Sequence, residues 1–145
     1  GESLEKDLAL HLEKIDERLA KIKDRAPSIV SDYEQRLRQR LESLLSDIGK
    51  KVADTDLLRE VAVLAERTDI SEEIARLQGH LEQFRDIVGN DNYDPIGRTL
   101  DFLAQEMLRE SNTIASKCLD GESNRRIVEV KGAIDRIKEQ VQNTE

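Results

Sequence analysis

The stretch KDRAPSIVSDY, residues 23 to 33, decides how the front of the chain folds. On its N-terminal side Leu4, Leu8, Leu12, Ile15, Leu19 and Ile22 recur every three or four residues, which sets them on one stripe of a helix. Val30, Tyr33, Leu37, Leu41, Leu44 and Ile48 repeat that spacing on the other side. Pro27 stands between the two runs. Proline has no N–H to give to a helix interior and is well suited to a first helical turn, so the pattern predicts a reversal at this point. Two helices with facing seams then form a long antiparallel hairpin over residues 1–48.

Gly49 and the polar run KKVADTD end that hairpin, and a short helix begins near Leu57 with Leu58, Val61, Leu64 and Ala65. Asp69 and Ser71 are the residue types that cap a following helix. In SEEIARLQGHLEQF, continued to residue 88, Ile74, Leu77, Leu81, Phe84 and Val88 share one face. GNDNYDPIG, residues 89–97, concentrates turn formers and reads as a surface loop. The next helix is GRTLDFLAQEMLRESNTIASK, residues 97–117, and the last carries Ile127, Val130, Ile134, Ile137 and Val141 in heptad rhythm. The expected fold is all-α: a long antiparallel helical hairpin followed by a smaller cluster of helices over residues 55–145.

Composition agrees with helices. Charged residues make up 37% of the 145 and aromatics only 3%, so a core of Leu, Ile, Val and Ala along helical seams is expected rather than a β-sandwich. The net charge of −8 opposes indiscriminate attraction to nucleic acid or anionic membrane. Cys118 is the only cysteine, which excludes an intrachain disulfide and a cysteine-rich zinc site and suits a reducing compartment, the cytoplasm. No apolar run is long enough to span a bilayer, and the first residues lack the features of a secretory signal. A first residue of Gly rather than Met suggests a fragment of a longer parent. No P-loop, G-x-S-x-G or S-x-x-K pattern is present.

Two places concentrate chemistry. On the helix at 97–117, Leu100, Leu103, Met107 and Ile114 form the inward edge. Glu106, Glu110, Thr113 and Lys117 run down one flank, while Arg98, Asp101, Gln105, Arg109 and Asn112 occupy the other side. Two carboxylates four residues apart repel by only about 0.2–0.5 kcal/mol on a helix surface, which nearby cations offset. They read either as a solvated face with local ion pairs or as oxygen ligands for a hard cation. On the preceding helix His80 shares a stripe with Asp69, Glu73, Arg76 and Gln83, beside the apolar face. A histidine there shuttles protons or binds metal, but no H-x-x-x-H spacing supports the metal reading. His11 reads as plain surface, Cys118 as structural, and four scattered aromatics give little support to base stacking.

DISEEIARLQGHLEQF, GRTLDFLAQEMLRESNTIASK and the terminal VEVKGAIDRIKEQVQN resemble, in this order, the C-terminal half of the YicC/YloC family, and RAPSIVSDYEQRLRQRL resembles the helical arm before those motifs. The matching polar positions are His80, Gln83, Gln105, Glu106, Arg109, Glu110, Asn112 and Thr113. The chain departs from the pattern at Gly79, Leu108, Ser111, Ala115 and Cys118, and a cysteine at that last position argues against a catalytic thiol.

The resemblance implies a bacterial cytoplasmic endoribonuclease, dependent on a divalent metal ion (Mn²⁺ or Mg²⁺) and assembled as a homo-oligomer, with a separate N-terminal domain absent here. It implies metal-assisted phosphodiester hydrolysis of RNA. Residue chemistry then assigns Glu106, Glu110 and His80 as metal ligands, His80 as general acid or base, and Arg109 and Lys117 as partners of the phosphate. Arg76, Gln83, Gln105, Asn112, Thr113 and Lys117 are the expected RNA contacts. The isolated fragment is expected to be weak or inactive. Two other readings stay open: a non-catalytic helical module that recruits partner subunits, and an adaptor that delivers RNA to another nuclease.

Overall fold

The computed structural model describes residues 2–49, 53–89 and 96–143, and these are helical almost throughout. The five helices are α1 (Glu2–Ser46), α2 (Asp54–Thr68), α3 (Ser71–Val88), α4 (Ile96–Lys117) and α5 (Gly121–Asn143). The all-α class is as expected. Most of the loop expected at residues 89–97 lies outside the described residues.

The reversal at Pro27 does not occur. α1 runs unbroken through the proline for 45 residues. An interior proline costs a helix about 3 kcal/mol, because it removes one hydrogen bond and crowds the carbonyl four residues back. Here both Pro27 and Lys23, whose carbonyl is the one crowded, are exposed, so water can satisfy that carbonyl. Neighbouring contacts hold the helix on course. Before the proline Leu19 and Ile22 are fully buried, and Arg25 donates from Nε and Nη2 to the two oxygens of Asp120 at 2.5 and 3.0 Å. The reversal comes instead between Ser46 and Asp54, where Gly49 takes a φ of 72° that suits a residue without a Cβ.

A hairpin therefore exists, but its second limb is α2. Arg38 on α1 pairs with Asp54 at the start of α2 at 2.9 Å, and Leu57 and Val61 are the buried residues of α2. The distal half of α1 thus projects as an arm with α2 along it.

The first half of α1 belongs to a different assembly. Leu8, Leu12, Ile15, Leu19 and Ile22 share one core with Ile74, Leu77, Leu81 and Phe84 of α3, with Leu103, Met107 and Ile114 of α4, and with Ile127, Val130, Ile134 and Ile137 of α5. α1 packs against α5 and α3, and α4 packs against α3 and α5, so α4 lies diagonally across from α1. This is an antiparallel four-helix arrangement. Arg18 of α1 pairs with Glu129 of α5 at 2.7 Å, and Arg85 of α3 with Asp16 of α1 at 2.6 Å. No helix among the described residues is long and apolar enough to cross a membrane.

The junctions explain where the helices start. Asp69 accepts from the backbone N–H of Ser71 at 3.0 Å and from its hydroxyl at 2.6 Å, which turns the chain from α2 into α3. Asp120 does the same for α5, accepting from the N–H and hydroxyl of Ser123 at 3.0 and 2.8 Å.

Candidate functional site

The polar flanks expected on α3 and α4 meet along the seam between these two antiparallel helices. Glu73 of α3 lies only 4% exposed and accepts from the Lys117 Nζ at 2.7 Å, while the same ammonium reaches the Asp69 carbonyl at 3.3 Å. Further along, Arg76 Nε donates to Glu110 at 2.9 Å and its Nη1 to Glu72. One turn on, the antiparallel register carries His80 of α3 to the position facing Glu106 of α4, since each helix advances four residues in opposite directions. His80 and Glu106 are half-buried, and neither has a hydrogen bond or ion pair among the described residues.

The charges along the seam follow from these contacts. Burial opposes ionisation of Glu73, but the Lys117 hydrogen bond, its own backbone N–H and the nearby charge of Arg76 prevail, so its carboxyl lies below the usual range. The Arg76 guanidinium is held charged chiefly by its hydrogen bond to Glu110, then by the one to Glu72. Asp69 is also lowered, first by the Ser71 hydroxyl and then by the Ser71 N–H. One oxygen of Glu73, Oε2, is buried without a hydrogen-bond partner.

This arrangement separates the expected site residues into groups. Arg76 and Lys117, read from the sequence as RNA contacts, spend their charge on Glu110 and Glu73. Thr113 donates its hydroxyl to the Arg109 carbonyl at 3.2 Å, a bond within its own helix. Gln83, Gln105, Arg109 and Asn112 are exposed, and the Gln105 amide donates to Asp101 at 3.3 Å. Glu110 is tied to Arg76, and the antiparallel register set by that pair puts His80 and Glu106 one turn further along the same seam.

The expected metal ligands do not form a set. A hard cation needs several oxygens converging on one point. Glu110 has a side chain only 8% exposed and already answers Arg76. Among the described residues no three His, Cys, Asp or Glu side chains are grouped to hold an ion. His80, Glu106 and Glu110 therefore do not fit a preassembled divalent-metal site within one chain.

Sequence reasoning placed Glu73 on the His80 stripe beside the apolar face but gave it no role. Its burial follows only once α3 and α4 are set antiparallel and Lys117 is brought across to it. His11 is half-buried rather than plain surface, and burial, then the charge of Arg136, lowers its pKa. A cavity of ≈ 500 Å³ opens elsewhere, where α1, α2 and α3 meet. Pro27, Val30, Ala65, Ile74 and Cys118 line it among others, its walls are mainly apolar, and none of the expected site residues faces it.

Residues 22–145 match the family described as "Endoribonuclease YicC-like, C-terminal". The whole chain is 38% identical to the "Probable endoribonuclease YicC" of Clostridioides difficile (strain 630) and 33% identical to the protein of that name from Haemophilus influenzae, and covers 48% of each. The chain thus spans about half the length of these relatives.

Proposed function

The chain belongs to the YicC-like endoribonuclease family through its C-terminal domain, and on that premise we propose that it supplies the proton-transfer groups and part of the RNA-binding face of a longer endoribonuclease. The observation that carries this reading is the contrast along the α3–α4 seam. Glu73 with Lys117 and Arg76 with Glu110 form ion pairs, whereas His80 and Glu106, one turn further along the seam, have no side-chain partner among the described residues and are half-buried.

Phosphodiester cleavage needs one group to take a proton from the attacking oxygen and another to give one to the departing oxygen. An imidazole is the side chain best suited to exchange protons near neutral pH, and Glu106 across the seam orients it or acts with it. The ion pairs alongside hold α3 and α4 in register, which keeps the two groups on the same seam. Arg109 is exposed on α4 and offsets charge that develops on the phosphate. No step is assigned to Mn²⁺ or Mg²⁺, because the expected ligands do not converge.

The test uses the full-length parent and a single-stranded RNA carrying a fluorophore and quencher. His80→Ala and Glu106→Gln are each expected to slow turnover by about 100-fold or more while circular dichroism stays unchanged. Undiminished cleavage by both variants would refute the assignment.

The reading as a non-catalytic helical module has one observation in its favour. Leu44, Ile48 and Leu58 are all more than half exposed at the end of the arm, an apolar surface that suits a second copy of the chain. Sedimentation of Leu44→Asp beside the unaltered chain tests it: a mass falling to the monomer supports assembly through the arm, and an unchanged mass rejects it.

A further inference from the structure

The chain has two phenylalanines, and they have opposite fates: Phe84 is completely buried, whereas Phe102 is 61% exposed. A single exposed apolar residue is ordinary, and Leu119 and Val128 are exposed to a similar degree. What sets Phe102 apart is its company. Arg98, Phe102, Gln105, Arg109 and Asn112 follow one another at steps of four and three, which puts them on one stripe of α4. All five are exposed. Behind them Leu103, Met107 and Ile114 are buried in the bundle, so the stripe is the outer face of the helix.

Asp101 is the carboxylate on this side of α4, and among the described residues it pairs with neither arginine, in a chain where acids outnumber bases by 31 to 23. Neither Arg98 nor Arg109 is engaged by a carboxylate among the described residues, in contrast to Arg18, Arg25, Arg76 and Arg85, which all are. Asp101 and Glu106 flank the stripe, and Asp101 is occupied by the amides of Gln105 and Gln142. An aromatic ring between two guanidiniums that have no carboxylate partner among the described residues, accompanied by two amides, is the combination that binds single-stranded nucleic acid. The ring stacks on a base, the cations meet phosphates, and the amides reach base edges.

We propose that the outer face of α4 is a track for single-stranded RNA in which Phe102 is the stacking platform and Arg98 and Arg109 hold the backbone on either side. The two arginines are eleven residues apart, roughly 16 Å along the axis at 1.5 Å per residue, a span fit for a few nucleotides. Phe102 precedes Glu106 by about one turn, roughly 6 Å. RNA stacked on the ring therefore runs beside the seam that holds His80 and Glu106. This track rests on the endoribonuclease reading for its ligand, and it assigns Phe102 and Arg98 a role that neither had in the sequence.

The test is fluorescence anisotropy of this chain with a 5′-fluorescein-labelled 12-nucleotide oligouridylate, with sedimentation velocity on every variant. Phe102→Ala is expected to weaken binding by roughly 5- to 150-fold, Phe102→Trp to retain it, and Leu119→Ala to leave it unchanged. Arg98→Ala with Arg109→Ala is expected to flatten the slope of log affinity against log salt by about 1.4, the value for two phosphate contacts on a single strand. Overturning results are an unaltered affinity in Phe102→Ala, the absence of binding by the unaltered chain, or a change of sedimenting mass in Phe102→Ala, which would make the stripe an interface between copies. Cleavage by the parent separates this proposal from the one it rests on. Loss of cleavage in His80→Ala with normal binding in Phe102→Ala rejects the track alone, and the reverse pattern rejects the proton-transfer pair alone.

Discussion

The carboxylate of Glu110 on α4 accepts from the guanidinium of Arg76 on α3 at 2.9 Å, and its side chain is almost wholly enclosed. A carboxylate in that position is tolerated because its partner is present. Removing one member of such a pair leaves the other uncompensated, which costs more than the pair contributes. Arg76 is 44% exposed, so water screens part of the effect. Arg76→Ala is expected to lower the urea midpoint of unfolding, and the double variant Arg76→Ala with Glu110→Leu to recover most of the loss. Additive losses in this cycle would mean that the two residues do not act on each other.

The same pair sets the expected response to metal. Glu110 is committed to Arg76 and no three-ligand group exists among the described residues. Titration calorimetry of Mn²⁺ into this chain is therefore expected to show no binding tighter than about 1 mM, a standard free energy near −4 kcal/mol. Micromolar binding that disappears in Glu110→Gln would mean that Glu110 exchanges Arg76 for the ion.

The interior seams were legible in the sequence. Ile74, Leu77, Leu81 and Phe84 on α3, and Ile127, Val130, Ile134, Ile137 and Val141 on α5, are buried as the helical period implies. The reversal of the chain was not. A proline between two seams looks the same whether it starts a helix or sits on the solvent side of a longer one, and only tertiary packing decides. Leu19, Ile22 and the Arg25–Asp120 clamp supply that packing from residues about a hundred positions away, beyond the reach of local pattern. The candidate site was half legible for the same reason. His80, Glu106 and Glu110 could be placed on helix faces, but Glu110 becomes unavailable only through Arg76 on another helix. Phe102 was passed over because four aromatics spread along the chain say little until one is seen outside.

Pro27 lies inside α1 rather than at a helix start, which gives Pro27→Ala a definite sign. In a continuous helix alanine restores a hydrogen bond and removes the crowding of the Lys23 carbonyl, a gain of up to about 3 kcal/mol. Thermal unfolding is expected at a higher temperature in the variant, with helical ellipticity undiminished. A lower melting temperature would mean that the proline holds a turn.

Acid should loosen the junction between α4 and α5 late in the titration. Asp120 binds Arg25 and caps α5 through Ser123, and its carboxyl is pushed far below the usual carboxylate range, first by the Arg25 hydrogen bond, against the opposing effect of burial, and then by the bonds from Ser123. A carboxyl lowered by folding stabilises the protein above its unfolded pKa, 3.8 for Asp, and that contribution disappears as pH falls through the folded value. Glu73, Glu122 and Glu129 are lowered too, so their contributions have the same sign. Stability from this source is expected to be level near pH 6 and to fall steadily below about pH 4. Asp120→Ala is expected to cost about 2 kcal/mol at pH 7 through the lost cap and its partners, and to differ less from the unaltered chain as the medium is acidified. Urea unfolding of both proteins at pH 7, 4 and 3 measures the difference, and a gap that stays constant over that range would show that the Asp120 carboxylate has no part in the acid response.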